Sequence, residues 1–323
     1  FMKPILETKN LCVSYDNTKI IEDINISVNK GEILGIVGES GSGKSTLLKS
    51  LVKLLPSNAK IENGSINYDN KDLVKLSNEE LRQIRGKEIS MVFQNSGASL
   101  CPIRTIEKQF MESAKAHENI SNEEIRKNID EIFPKIHLKD VDRILKSYPF
   151  ELSGGMNQRV GIALAMLNKP SIILADEPTS ALDVTAQAQV VKTLMKLRDD
   201  FNTSIIIITH NMGVVSHMVD KVAVMYNGSI VEYGSKKDLI HSPLHPYTQM
   251  LIKSTPNMKK GKLYGIPGKA PTFGENKKGC PFVSRCNKRI NKCYAEIPST
   301  VNYENRIVNC HLYKEVIQEE IVL

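Results

Sequence analysis

The sequence has 323 residues, 41% of them hydrophobic, and a net charge of +7. That length suits one large core or two smaller domains, and the composition excludes a disordered or fibrous chain. The longest apolar runs, such as residues 205–208, fall far short of the ~20 residues a membrane helix requires.

Met2 is the expected start, with Phe1 set aside, and residues 2–10 lack the basic-then-apolar pattern of a secretory signal. The expectation is a cytoplasmic chain unless a partner holds it at a membrane. Residues 5–15, 20–28 and 32–37 read as strands. A glycine-rich stretch follows the third, and residues 46–55 have helical apolar spacing. Residues 61–68 and 89–93 are further strands, with a helix at 79–85 between them. Residues 105–146 are rich in Glu, Lys, Asn and Ile, with helical periodicity at 107–116 and 122–133. They read as an insert within a helical subdomain of about residues 97–160. The α/β pattern resumes with a continuous apolar strand at 172–176, of the kind buried on both faces. A helix at 186–200, a strand at 204–209, a helix at 213–219 and strands at 222–226 and 229–233 follow. Asn227-Gly228 marks a hairpin between the last two. Past residue 242 the composition shifts, and periodicity fades over 256–279. The boundary falls between 242 and 256, giving a unit at 2–250 and an extension at 251–323. From residue 255 onward there are 12 Lys/Arg and 6 Asp/Glu, so this segment carries +6 of the net charge. Such a tail suits an anionic partner or a merely solvated surface.

Residues 38–45 read GESGSGKS, matching G-x-x-x-x-G-K-[ST] between a strand and a helix. Glycines let backbone N–H groups converge on a phosphate. Lys44 reaches the β- and γ-phosphates, Ser45 ligates Mg²⁺, and the helix N-terminus adds its dipole. The phosphate-binding set is Gly38, Glu39, Ser40, Gly41, Ser42, Gly43, Lys44, Ser45 and Thr46. Asp176 and Glu177 end a buried apolar strand. Asp176 is placed to hold Mg²⁺ through water and Glu177 to polarise an attacking water, although a solvated acidic turn would look the same. Ser153, Gly154 and Gly155 open a helix, either as a second phosphate nest or as a simple N-cap.

These segments, with Gln94 after MVF, ELSGGMNQRV, ILADEPTSALD and the histidine of ITH, occur in an order that resembles the ABC ATPases. The resemblance spans residues 4 to about 250. It implies an α/β fold: a P-loop ABC ATPase core with an antiparallel β subdomain and a helical subdomain. It also implies roles. Tyr15 stacks on adenine, and Gln94 contacts Mg²⁺ and the lytic water while sensing the membrane partner. Ser153, Gly154 and Gly155 bind the γ-phosphate of ATP on the opposite subunit. Asp183 links the two sites, and His210 contacts the γ-phosphate. The catalytic set is then Glu177, His210, Gln94 and Lys44, with Ser45, Gln94 and Asp176 around Mg²⁺. The family works as a head-to-tail pair that sandwiches ATP.

PLHPYT at residues 243–248, IPG at 266–268, GCPF and RC resemble the C-terminal extension of oligopeptide, dipeptide and nickel importer ATPases. That implies a second ATPase, usually a paralogue, two membrane permease subunits, an external binding protein and a station at the cytoplasmic face of the membrane. The alternative is a soluble ABC ATPase acting on nucleic acid through its basic tail. Members of that kind carry two cassettes or a long coiled coil, so no nucleic acid is expected. SLCP at 99–102 and Ala270 in IPGKAP depart from the subgroup's usual forms.

Cys280, Cys286, Cys293 and Cys310 are spaced C-x₅-C-x₆-C-x₁₆-C, which is neither a common zinc pairing nor a ferredoxin run. Four thiolates suit zinc or a [4Fe–4S] cluster, and free thiols remain possible. Some members of the resembled subgroup hold such a cluster, which favours iron–sulfur. The basic neighbours Arg285, Lys288, Arg289 and Lys292 are expected to offset its charge.

Overall fold

A computed structural model describes residues 3–117, 119–180, 182–254, 265–273 and 278–313. Much of the stretch where periodicity fades therefore lies outside the described residues.

Strands β1 (Leu6–Tyr15), β2 (Thr18–Val28), β3 (Ile33–Val37), β4 (Ala59–Tyr68), β5 (Lys71–Asp72) and β6 (Ile89–Val92) occupy the first third of the chain. β7 (Ile172–Asp176), β8 (Ser204–Ile208), β9 (Lys221–Tyr226), β10 (Ser229–Ser235), β11 (Val301–Tyr303) and β12 (Arg306–Val308) complete two sheets. One is antiparallel, in the order β2-β1-β4-β5. The other runs β11-β12-β10-β9-β3-β8-β7-β6, parallel from β9 to β6.

Every residue of β3, β7 and β8 is buried. Side chains alternate across a strand, so each strand feeds two cores. Leu34, Ile36, Ile172, Leu174, Ile206 and Ile208 pack toward the antiparallel sheet and the helix Lys44–Ser50. Ile33, Ile173, Ala175, Ile205 and Ile207 pack toward the helical side. The phosphate loop and the acidic strand end thus leave the same edge of one rigid, doubly covered sheet.

The insert forms helices Ile106–Lys115, Asn122–Lys135 and Val141–Lys146, followed by the helix Gly154–Met166. Ser121 and Glu124 form a capping box at the second of these. That helix runs past the expected residue 133 and carries Pro134 in its last turn. The phosphate-loop helix is shorter than expected, because Lys53 adopts φ +50° just beyond Leu51. The hairpin expected at Asn227-Gly228 is present, with φ of +44° and +85°.

The extension is stitched to the core sheet. β12 pairs with β10 (Glu232 opposite Val308, Tyr233 opposite Ile307), and β11 pairs with β12. Phe282 is 1% exposed and meets the rings of Tyr226, Tyr247 and His245 at centroid distances of 5.2, 5.4 and 5.9 Å. Its burial contributes about 2 kcal/mol. His245 caps the helix Pro246–Lys253, its Nδ1 accepting the Tyr247 N–H at 3.0 Å.

Complete burial pushes the His245 imidazole from its ordinary 6.5 down to about 3. The unfolded chain therefore binds the extra proton between those values, and stability falls as pH drops through that window. The loss is about 2 kcal/mol between pH 7 and pH 5. Burial raises the nearby Glu232 carboxyl, which acts in the opposite direction. His245→Asn can still cap the helix but does not titrate. Urea melts at pH 7 and pH 5 should show a smaller acid loss in the variant, and an unchanged loss would remove His245 from this role.

Candidate functional site

The phosphate loop connects β3 to the helix Lys44–Ser50. Gly43, the residue before the helix, sits at φ +98°, where a side chain is strained. At Gly38 a Cβ would fall 2.2 Å from the Met225 carbonyl oxygen, so only glycine lets the loop pack this closely on β9. These two constraints shape the cradle.

Lys44 is 6% exposed, and its ammonium donates to the carbonyls of Gly38 (3.0 Å) and Glu39 (2.7 Å). Burial pulls it below its ordinary value, partly opposed by Glu177, Asp176 and Glu39. A desolvated cation held on two neutral carbonyls suits an incoming polyphosphate. Ser45 Oγ donates to Asp176 Oδ1 at 3.0 Å, joining the loop to the end of β7. Burial raises the Asp176 carboxyl, and the Ser45 hydrogen bond partly reverses this. A hydroxyl and a carboxylate oxygen side by side are hard donors of the kind Mg²⁺ takes.

Glu177 adopts φ +45°, a conformation costly for a non-glycine residue. That kink turns its carboxylate to Gln94 Nε2 at 3.5 Å and His210 Nδ1 at 3.3 Å. Gln94 follows β6 and His210 follows β8, so three strand ends converge on one carboxylate. Tyr15 OH lies 3.2 Å from Thr46 Oγ1, placing an aromatic ring of β1 beside the loop. Lys44, Ser45, Gln94, Asp176, Glu177, His210, Tyr15 and Thr46 are thus brought to one place.

Ser153, Gly154, Gly155 and Asp183 are not. Ser153 caps its helix by accepting the Met156 N–H, and Gly154 is exposed with nothing within 4 Å of the position a Cβ would take. Asp183 caps the helix Val184–Phe201 through the Thr185 and Ala186 N–H groups. Among the described residues none of the four is hydrogen-bonded to the phosphate loop.

All four cysteines of the extension are free, and Cys286, Cys293 and Cys310 are buried. Burial pushes Cys280 and Cys310 up to about 11 and raises Cys286. Repulsion from the other thiols adds to each shift, so the four share one neighbourhood. Among the described residues, however, no group of three or more His, Cys, Asp or Glu side chains is gathered closely enough to hold a metal ion. Lys288 and Arg289 do face this neighbourhood. Arg285, expected to join them, does not. It donates to the Glu39 carboxylate from both terminal nitrogens, at 2.6 and 2.9 Å, and Lys292 pairs instead with Glu296. This contact between the extension and the phosphate loop carries no local sequence signal, being a bond across 246 positions.

Two family descriptions match the chain: ABC transporter over residues 21–180, and oligopeptide/dipeptide transporter, C-terminal region, over residues 231–293. The oligopeptide transport ATP-binding protein AppD of Bacillus subtilis (strain 168) is 41% identical over 97% of this chain and 98% of its own length. The dipeptide transport ATP-binding protein DppD of the same organism is 38% identical over 99% and 98%. Among solved structures, the dimeric structure of a bacterial ABC transporter cassette superposes with a TM-score of 0.64 at 30% identity, covering 72% of this chain and 98% of that one.

Proposed function

The chain belongs to the ABC transporter ATP-binding family, in the branch with the oligopeptide/dipeptide C-terminal region, and on that premise we propose that it energises peptide import as half of a head-to-tail ATPase pair. As an ABC ATPase it binds ATP and couples hydrolysis to transport. The observation that carries the proposal is the split just described. One complete phosphate cradle stands with its acid and histidine, while a second nest lies exposed and unused.

In this pair residues 38–46 wrap the phosphates of one ATP and Tyr15 stacks on its adenine. Lys44 exchanges its two carbonyl partners for β- and γ-phosphate oxygens. Ser45, Asp176 and Gln94 would hold Mg²⁺, which when bound neutralises charge on the phosphates. Glu177 accepts the proton of the attacking water, and His210 holds the γ-phosphate from the other side. Ser153, Gly154 and Gly155 serve the ATP of the opposite subunit, and Asp183 lies at the seam. Catalysis is positioning and electrostatics.

Among the described residues no helix is long and apolar enough to cross a membrane. Ile103 is 83% and Phe150 74% exposed, and Phe150 stacks on Tyr148 at 5.4 Å. Exposed apolar residues on the helical side suit docking of two permease subunits at the cytoplasmic face. A paralogous ATPase completes the pair, and an external binding protein delivers the peptide. The thiol neighbourhood favours a metal centre, [4Fe–4S] or zinc, on the chemistry of its donors. The thiols must close in and release protons to hold it.

Anaerobic purification of the tagged chain from membranes tests these proposals together. The permease subunits and a second ATPase should co-purify, with about four iron and four sulfide per chain. Stoichiometric zinc would replace the cluster, a metal-free chain would remove the centre, and recovery without permeases would remove the importer assignment.

A further inference from the structure

We propose that Arg285 of the extension is a positioning residue of the nucleotide site, holding the Glu39 carboxylate away from the space the ATP phosphates take. ATP affinity then depends on how the extension is seated. The inference rests on the family's ATP binding and goes beyond it.

Glu39 is the one acidic residue of GESGSGKS. Each of its polar groups is engaged. Its N–H donates to Tyr247 OH at 2.8 Å, and its carbonyl accepts from Lys44 Nζ at 2.7 Å. Its carboxylate accepts the two Arg285 bonds at 2.6 and 2.9 Å. Two of these three partners, Tyr247 and Arg285, lie past the last core strand that the phosphate loop packs on.

Arg285 is itself fixed. Its side chain is 3% exposed, Nε donates to the Pro267 carbonyl at 2.8 Å, and one terminal nitrogen reaches the Ile266 carbonyl at 3.4 Å. Its guanidinium carbon stands 5.8 Å from the Tyr226 ring centroid and 6.0 Å from that of Phe282. The planar fork matches a carboxylate in a way that lysine cannot. Without it, Glu39 would leave a free anion in a loop that must receive a triphosphate. Lys44 would then face a competing charge beside the carbonyl it already holds.

The test is equilibrium MgATP binding by the full chain. Arg285→Met should weaken binding roughly tenfold by leaving Glu39 unpaired near the phosphates. Adding Glu39→Gln to that variant leaves the backbone that lines the cradle unchanged and should recover most of the lost affinity relative to Arg285→Met, since the stranded charge is gone. A merely structural arginine would not be rescued this way. Wild-type affinity in Arg285→Met overturns the proposal, as does a double variant as weak as the single one. Should Arg285→Met fail to fold, Arg285→Lys replaces it. That variant keeps the charge but loses the fork, and should bind about threefold more weakly, with wild-type affinity overturning the proposal. If the wild-type chain itself bound no MgATP, the family reading would fail first.

Discussion

Glu177→Gln should leave ATP binding within about threefold of wild type while lowering turnover by roughly 10²- to 10⁴-fold, the range a positioned general base supplies. The substitution keeps the shape and an oxygen for the Gln94 amide to donate to, leaves His210 facing a neutral amide, and removes the proton acceptor. The adjacent Asp176 carboxylate does not take its place. Asp176 is 8% exposed and already accepts a bond from Ser45. Losing one negative charge beside Lys44 also favours the bound triphosphate, so the variant should accumulate as an ATP-loaded closed pair. Single-turnover hydrolysis and equilibrium ATP binding on the same sample measure both effects. Turnover within tenfold of wild type would remove Glu177 from the role of base.

Most of this site was legible because its chemistry is written in short contiguous segments. The phosphate loop announces itself through Gly38, Gly43 and Lys44, and the acidic strand end through four apolar residues before Asp176. Gln94 and His210 were legible only as members of an ordered set of motifs, since either alone is an ordinary residue at a strand end. The left-handed conformation of Glu177 had no signal, because glutamate has no preference for it. It follows from the hydrogen bond of the Glu177 N–H to Ile208 and from the turn that Ser180 closes on the Glu177 carbonyl.

The extension was the least legible part. β11 and β12 have three residues each, too short for a period-two pattern to register. Their place at the edge of the core sheet depends on β10, some seventy positions earlier. The short helix Val141–Lys146 hid for a similar reason, starting after Asp140 at φ +56° rather than at a recognisable cap. Arg285 was expected to balance the thiols from proximity in sequence. Space put it on the phosphate loop instead, where its buried fork meets the partly exposed Glu39 carboxylate.

The central proposal is that ATP is hydrolysed between two chains, with Ser153, Gly154 and Gly155 reaching the γ-phosphate held by the other subunit. Gly154→Asp isolates that role. Open space surrounds the position of a Cβ there, so the variant should fold and keep its own phosphate loop intact. In the closed pair the new carboxylate would meet the γ-phosphate across the seam, replacing converging N–H groups with a like charge. The decisive measurement is ATP affinity of the isolated variant beside turnover in the assembled complex. Affinity should match wild type while turnover at the shared site falls roughly a hundredfold. Wild-type turnover in the assembled Gly154→Asp complex would contradict a shared site.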